Sequence, residues 1–401
     1  MPKSVTITRL QELSRLFLKL GALGFGGPNA HIAMMEAEVV ISRKWLSGEQ
    51  FLDLLGATNL IPGPNSTQMA IHIGYVYGGW LGLIVAGVSF ILPGVLMTGG
   101  LAMAYVTFGA MPQVAFLLDG IKPAVLGVIV DALWRLGKKA VKSSKLLSIA
   151  IAISIVVWFA HVNEIIALFG GGLLGMFWLQ LPSQGKNSND GANLVIAGMT
   201  TGVAVKVSAV TTIGATGFVP VSLWQLGYSF LKIGGTLFGG GYVLLSFVRS
   251  EFVEGYGWLT QQQLLDAISI GQFTPGPILT SATFIGYIIA GLPGSIVATL
   301  AIFLPSFILV AISNPLIPHL RKSKWMSAFL DAVNVSALGL MVVVTLQLAI
   351  DTLSISHPPH LDIFGGSIAL ISTILATRFA VNSIWLILGG SILGAIAHTL
   401  R

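Results

Sequence analysis

The chain alternates long uncharged runs with short pieces rich in glycine, proline and polar residues. Residues 82–106 carry no charge and exceed the roughly 20 residues that a membrane-spanning helix needs. Comparable, mostly apolar runs fall at 114–134, 146–160, 162–180 and 192–218, and then at 292–317, 325–350, 362–378 and 380–399. Two further stretches precede the first clear span of each series. In the first series they are interrupted at Gly24-Phe25-Gly26-Gly27-Pro28 and at Ile61-Pro62-Gly63-Pro64-Asn65. Their arms are too short for confident full spans, so they read as helical hairpins broken inside the membrane. Residues 1–20 mix Arg9, Glu12, Arg15 and Lys19 among Leu, Ile and Phe at helical spacing, without a small-residue cleavage site. That pattern predicts an amphipathic cytoplasmic helix rather than a signal peptide.

Composition narrows the class. Hydrophobic residues make up 54% of the 401 positions and DEKR only 9%, against about 25% charged residues in soluble domains. Mean hydropathy is +0.87. So little charge cannot cover a globule in water, which excludes a cytosolic enzyme, a nucleic-acid binder and a secreted module. With no Cys there is no disulfide, thiolate metal site or Cys nucleophile. The 48 Gly and 17 Pro are many for plain spanning helices and suit helices that break within the bilayer. No G-x-x-x-x-G-K-[ST], H-E-x-x-H or G-x-S-x-G motif occurs, so no ATP-driven step, metal, cofactor or hydrolytic centre is expected.

An internal repeat organises the chain. FLKLGALGFGG (17–27) matches FLKIGGTLFGG (230–240) at an offset of 213. The same offset aligns Trp45-Leu46-Ser47 with Trp258-Leu259-Thr260, Asp53 with Asp266, and Pro62-Gly63-Pro64 with Pro275-Gly276-Pro277. After one lost residue the offset is 212, pairing Gly74 with Gly286, Gly82 with Gly294, Asp119 with Asp331 and Gly127 with Gly339. Trp, Lys, Asp and Pro in register are not supplied by greasy composition, so the chain is a duplication. We expect a repeat at 1–180, a polar cytoplasmic connector at 181–191 and a second repeat at 192–401.

The basic clusters give the relative direction of the copies. In the first copy Arg135, Lys138, Lys139, Lys142 and Lys145 follow the helix that carries Asp119, and the loop before it, 107–113, is uncharged. In the second copy Arg321, Lys322 and Lys324 precede the helix that carries Asp331, and the loop after it, 351–362, has no Lys or Arg. Positive loops stay in the cytoplasm. The expected fold is therefore an all-α polytopic membrane protein of two inverted-topology repeats with broken, re-entrant hairpins. The N-terminus is expected in the cytoplasm and the C-terminus outside.

Broken backbone at membrane depth lines a cavity or is buried in protein. Pro-Gly-Pro ends one helix and opens the next, leaving a helix N-terminus that attracts anions. The candidate binding residues are Gly26, Gly27, Asn29, Asn65, Ser66 and Thr67 in the first copy, with Gly239, Gly240, Thr280 and Ser281 in the second. Lys19 and Lys232 hold matching positions among Leu and Phe and are expected to line the site with positive charge. Asp53 and Asp266 are candidates for carrying protons. Glu36, Glu38 and His72 read as lacking an ionisable counterpart, an asymmetry that would also suit proton coupling for Glu36 and His72. Asp119 and Asp331 read as helix caps, and His31 as either surface or coupling residue.

Gly-Phe-Gly-Gly-Pro at 24–28, Trp45-Leu-Ser and Pro-Gly-Pro-Asn at 62–65, repeated as Phe-Gly-Gly-Gly, Trp258-Leu-Thr and Pro-Gly-Pro at 275–277, resemble the chromate ion transporter family in its long, two-domain form. The resemblance implies an inner-membrane protein that exports chromate, driven by the proton motive force. In the second copy Gly241 stands where Pro28 would match, and Ile278 replaces Asn65, so the first copy is expected to dominate binding. Chromate and sulfate are near-isosteric dianions, so a sulfate carrier is the alternative; a non-transporting membrane protein or intramembrane enzyme is the more distant one. The expected partners are a chromate or sulfate oxyanion, protons and the bilayer, with a homodimer allowed and nucleic acid excluded.

Overall fold

A computed structural model describes residues 7–25, 27–108, 112–160, 162–180, 221–238, 241–313, 324–355 and 360–400. The expected span at 192–218, the connector at 181–191 and the basic residues Arg321 and Lys322 lie outside the described residues. Among the described residues the regular structure is helical apart from a two-residue antiparallel pairing, β1 (Ser354–Ile355) with β2 (His360–Leu361). An all-α polytopic membrane protein is what the hydrophobic pattern predicts.

The first copy begins with α1 (Ile7–Leu23), α2 (Pro28–Glu36) ending in a π turn at Ala37–Ser42, and α3 (Gly48–Thr58). Next come α4 (Asn65–Phe108), α5 (Pro112–Ala140), α6 (Ser144–Ala160) and α7 (Glu164–Gln180). The second copy runs α8 (Leu223–Thr236), α9 (Leu244–Val248) with a π turn at Arg249–Gly255, α10 (Gln261–Phe273), α11 (Ser281–Ser313), α12 (Lys324–Leu353), α13 (Ile363–Phe379) and α14 (Ser383–Leu400). The helices α4, Ile278–Ser313 and Trp325–Leu353 are each long and apolar enough to cross a membrane. The stripe Leu81, Ile84, Val88, Leu92 and Leu96 on α4 is exposed, as is Leu292, Ile296, Leu300, Leu304, Ile308 and Ile312 on α11. Large apolar side chains exposed at every fourth position form a face for lipid.

Local devices recur at the repeat offset. Ser47 and Gln50 form a capping box at the start of α3, and Thr260 and Gln263 form the same box at the start of α10. Each satisfies two orphan N–H groups reciprocally. The chain before each box needs a left-handed residue, which is Lys44 (φ 52) in one copy and Gly257 (φ 64) in the other. The long helix of each copy also breaks where the sequence reading had only placed the edge of a span. In α4 the break is Gly78–Gly79 (Gly79 φ 61, ψ −152), and in α11 it is Ala290–Gly291 (Gly291 φ 63, ψ −153). The short arm then folds back on the long one: a Cβ on Gly74 would overlap the Gly82 carbonyl, and a Cβ on Gly286 that of Gly294. Only glycine permits both that turn and that approach.

The copies interlock. Helix α5 packs against α13 and α14, while α12 packs against α6 and α7. The last two helices of each copy thus cover the Asp119 or Asp331 helix of the other. Small residues allow the approach: Gly127 lies against Ser372 and the Ala369 carbonyl, Gly339 against the Ala150 carbonyl, and Gly175 against Ala332. Between helices in lipid, close backbone packing of this kind is the main attraction available.

Candidate functional site

The breaks of opposite copies meet. The Gly63 N–H donates to the Leu237 carbonyl at 2.7 Å, and the Gly276 N–H donates to the Gly24 carbonyl at 2.9 Å. Leu237 and Gly24 occupy matching positions, so the Pro-Gly-Pro loop of each copy is bonded into the first break of the other. Both central glycines have positive φ, 132 at Gly63 and 88 at Gly276. A side chain on Gly63 would run into Gln68 and Ser306. His31 braces the first break, its Nε2 lying 2.8 Å from the Gly24 carbonyl and its ring edge-on to Phe90. It is buried, which excludes the surface reading of it.

Beside this crossing lies a cavity of about 610 Å³. Gly27, Asn29 and Ala30 bring the start of α2 to it, and Gly63 and Asn65 bring the start of α4. Gly27 (φ 80) is the N-cap of α2, with Pro28 behind it and no side chain capping the first turn. First-turn N–H groups have no intrahelical partner and carry the positive end of the helix dipole. Asn65 is held by its Nδ2, which donates to Asn59 Oδ1 at 2.9 Å. The charged residues of the lining are Arg135 and Lys139 from α5, Lys142 just beyond its end, and Asp131 and Asp331. Arg135 Nε lies 2.8 Å from Asp131, which is 8% exposed, and Lys142 Nζ lies 2.6 Å from Asp331. Lys139 makes no ion pair among the described residues. Three cations against two carboxylates leave the side chains of the cavity with a net charge of +1.

The predicted residues are only partly brought together. Gly27, Asn29 and Asn65 line the cavity. Ser66 and Thr67 are buried one turn behind it, and Thr67 Oγ1, Gln68 Oε1 and Ser306 Oγ have no hydrogen-bond partner among the described residues. Thr280 sits in a buried hydroxyl cluster, with Thr98 Oγ1 3.3 Å from both Thr280 and Thr274. Ser281 bonds back to the Ile278 carbonyl at 2.8 Å. Gly26, Gly239 and Gly240 lie outside the described residues.

The two lysines lie elsewhere. Lys19 is exposed and paired with Glu38 at 2.8 Å, and Lys232 is paired with Glu251, which also accepts from Ser229. Neither lines the cavity, because a lysine flanked by apolar residues found a carboxylate on the neighbouring π turn. Those pairs also correct the register: Glu38 has a counterpart, Glu251, and Glu36 has a basic one, Arg249. Glu36 and Asp53 are exposed, whereas His72 is fully buried. Asp266 is fully buried too, accepting from Tyr105 at 2.7 Å and from Gln262. Asp331 caps nothing: it stands inside α12 and holds Lys142. The side chain of Asp119 lies outside what is described.

Sequence reasoning missed Arg135, Lys139 and Lys142 as lining residues, treating them only as topology markers. The spacing of Arg135 and Lys139 held the signal, since positions four apart share one helix face.

The pocket beside the matching loop of the second copy is small, but the face beyond it is open: Lys122, Arg249, Gln262, Leu265 and Asp351 line a recess of about 650 Å³. Around Gly241, Gln272, Ile278 and Ser281 the pocket is about 20 Å³. Farther out, Arg249 of the π turn bonds Asp351 of α12 at 3.1 Å.

Comparison with known proteins agrees with this architecture. The family profile described as chromate transporter matches residues 11–176 and 224–395. The chain is 32% identical over 396 residues to a chromate transport protein of Cupriavidus metallidurans, covering 98% of this chain and 94% of that one. It is 32% identical over 352 residues to a chromate transport protein of Pseudomonas aeruginosa, covering 84% and 80%. An uncharacterized transporter of Methanocaldococcus jannaschii is 28% identical over 340 residues, 83% of each chain. No solved structure matches the chain. Two interlocked copies whose glycine–proline breaks cross beside a basic cavity thus sit on a sequence related along nearly its whole length to transporters, and the chain belongs to the chromate transporter family.

Proposed function

We propose that the protein carries chromate out of the cell across the inner membrane by alternating access, coupled to the proton motive force. The observation that carries this reading is the cavity beside the crossing, onto which the starts of α2 and α4 and a basic rim converge. Its side chains contribute a net +1, and the starts of α2 and α4 each add about +0.5, so the total of about +2 matches a dianion. Asn29, Asn65 and the first-turn N–H groups supply the several donors that a tetrahedral oxyanion requires. The relatives named as chromate transport proteins support chromate as the cargo.

In this reading the repeats 1–180 and 192–401 are inverted, joined by a cytoplasmic connector at 181–191. The cavity with its basic rim faces the cytoplasm, in keeping with the positive-inside rule. The N-terminus is cytoplasmic and the C-terminus external. Asp53 and Asp266 are the matched carboxylates through which protons would be coupled: Asp53 is exposed and Asp266 is buried.

Chromate uptake into inverted membrane vesicles, with and without a pH gradient, tests the reading. Uptake above that of vesicles lacking the protein, stimulated by the gradient, is expected. Equal uptake in both vesicle types overturns transport, and indifference to the gradient overturns the coupling. The donors and charge of the cavity serve sulfate equally well, which supports one alternative. Sulfate that is itself accumulated, and that outcompetes chromate at equal concentration, would make sulfate the cargo.

A further inference from the structure

In the second copy, Arg249 and Asp351 tie the second π turn to the end of α12, and both line the recess of about 650 Å³. Arg249 is well buried, with a side chain 13% exposed, and a second bond to Glu254 at 2.8 Å steadies it. The repeat maps this pair onto the first copy. At 213 residues Arg249 corresponds to Glu36, and at 212 residues Asp351 corresponds to Lys139. The local register is sound, because the π turns coincide, Lys19–Glu38 matches Lys232–Glu251, and Arg43 N to Glu38 O and Tyr256 N to Glu251 O both measure 2.9 Å. The signs are reversed, yet the pair stays complementary. With charges at only 9% of positions, two matched sites both charged and of opposite sign are not a product of composition. In this structure Glu36 is exposed at the end of α2, Lys139 lines the open cavity, and neither joins an ion pair among the described residues.

We propose that Glu36 and Lys139 are a further pair of functional residues for transport, forming the ion pair that closes the open cavity when the opposite side opens. The inference rests on the alternating-access reading. The reversal of sign has a physical reason. Lys139 belongs to the basic lining that draws in the dianion, so the residue that closes over it must be the acid and must come from the hairpin. Closing then does two things at once. It seals the mouth, and it removes one positive charge from the anion's surroundings, which weakens the hold on the dianion as the other side opens.

Two measurements test the pair. In the first, chromate flux in proteoliposomes is compared for wild type, Glu36→Lys, Lys139→Glu and the double reversal. Each single reversal is expected to lower flux about tenfold, and the double reversal to recover part of what Lys139→Glu loses, the signature of a direct coupling, while the rest stays lost with the lining's cation. A double reversal no better than the worse single overturns the pair. In the second, which needs no substrate, the natural lack of cysteine is used. Glu36→Cys with Lys139→Cys, and separately Arg249→Cys with Asp351→Cys, are treated in membranes with a short bifunctional thiol reagent. Both pairs are expected to cross-link, but linking one is expected to prevent linking of the other in the chain carrying all four substitutions. Failure of the 36–139 pair where the 249–351 pair links, or both links in one molecule, overturns the proposal. If wild type carries no chromate while the links remain mutually exclusive, the cargo is wrong and the closing pair stands.

Discussion

The two Pro-Gly-Pro regions share a backbone and differ in chemistry. Each central glycine has positive φ, and each donates its N–H into the break of the opposite copy. Around the first, Asn65 donates to Asn59, and Asp131 and Arg135 face a cavity of about 610 Å³. Around the second, Ile278 stands in place of Asn65, Val343 and Gln347 stand in place of Asp131 and Arg135, and about 20 Å³ remains. Duplication preserved the positions that fix the chain's path, while the positions that face the cavity diverged. Backbone geometry is demanded twice, once by each copy's fold; charge in a cavity is demanded only at the proposed anion site.

The largest effect that would break this comparison is a side chain at the first crossing. Gly63→Val forces a branched residue to φ 132 and into Gln68 and Ser306. A loss of about 3 kcal/mol or more in stability, with little transport left, is expected from thermal unfolding and flux together. At the second crossing the space is looser, the nearest atom to a Cβ on Gly276 being the Gly21 carbonyl at 3.4 Å. Gly276→Val is therefore expected to be the milder of the two, and equal losses would mean that the crossings are not distinguished by room.

Next comes charge. Arg135→Ala removes a cavity cation and strands Asp131, which is nearly buried. The half-saturating chromate concentration is expected to rise about tenfold, which is what losing one charge-assisted bond to the anion would do. Gln347→Ala, at the matching position, is expected to leave it unchanged. A smaller effect is expected from Asn65→Ile, which makes the first copy resemble the second and removes the bond to Asn59. About 1 kcal/mol of anion affinity is at stake, a few-fold change read by the same assay. Smallest of all is Lys19→Ala: its exposed pair with Glu38 is worth about 0–1 kcal/mol, and its head lies away from the cavity. Unchanged anion affinity is expected, and a tenfold loss would restore Lys19 to the binding site.

Much of the fold was legible because a duplication writes each constraint twice. The offset shared by Trp45 and Trp258, or by Gly63 and Gly276, separated positions that must be kept from positions that drift. The breaks at Gly24–Pro28 and Pro62–Pro64 stood out as residues that helices avoid. The break at Gly78–Gly79 was hidden by contrast, since two glycines in an apolar run read equally as close packing. Lys19 and Lys232 misled because depth was judged from neighbours in sequence, whereas their partners, Glu38 and Glu251, lie a full hairpin arm away.

By itself the sequence determined the membrane class, the duplication and the glycine–proline breaks, because hydropathy, register and backbone restriction are properties of neighbours along the chain. Tertiary structure alone decided which copy covers which helix, that the breaks cross into one another, and that Arg135, Lys139 and Lys142 rather than Lys19 and Lys232 line the cavity. Those are contacts between segments far apart in the chain, set by how small residues let helices approach, and no local pattern encodes them.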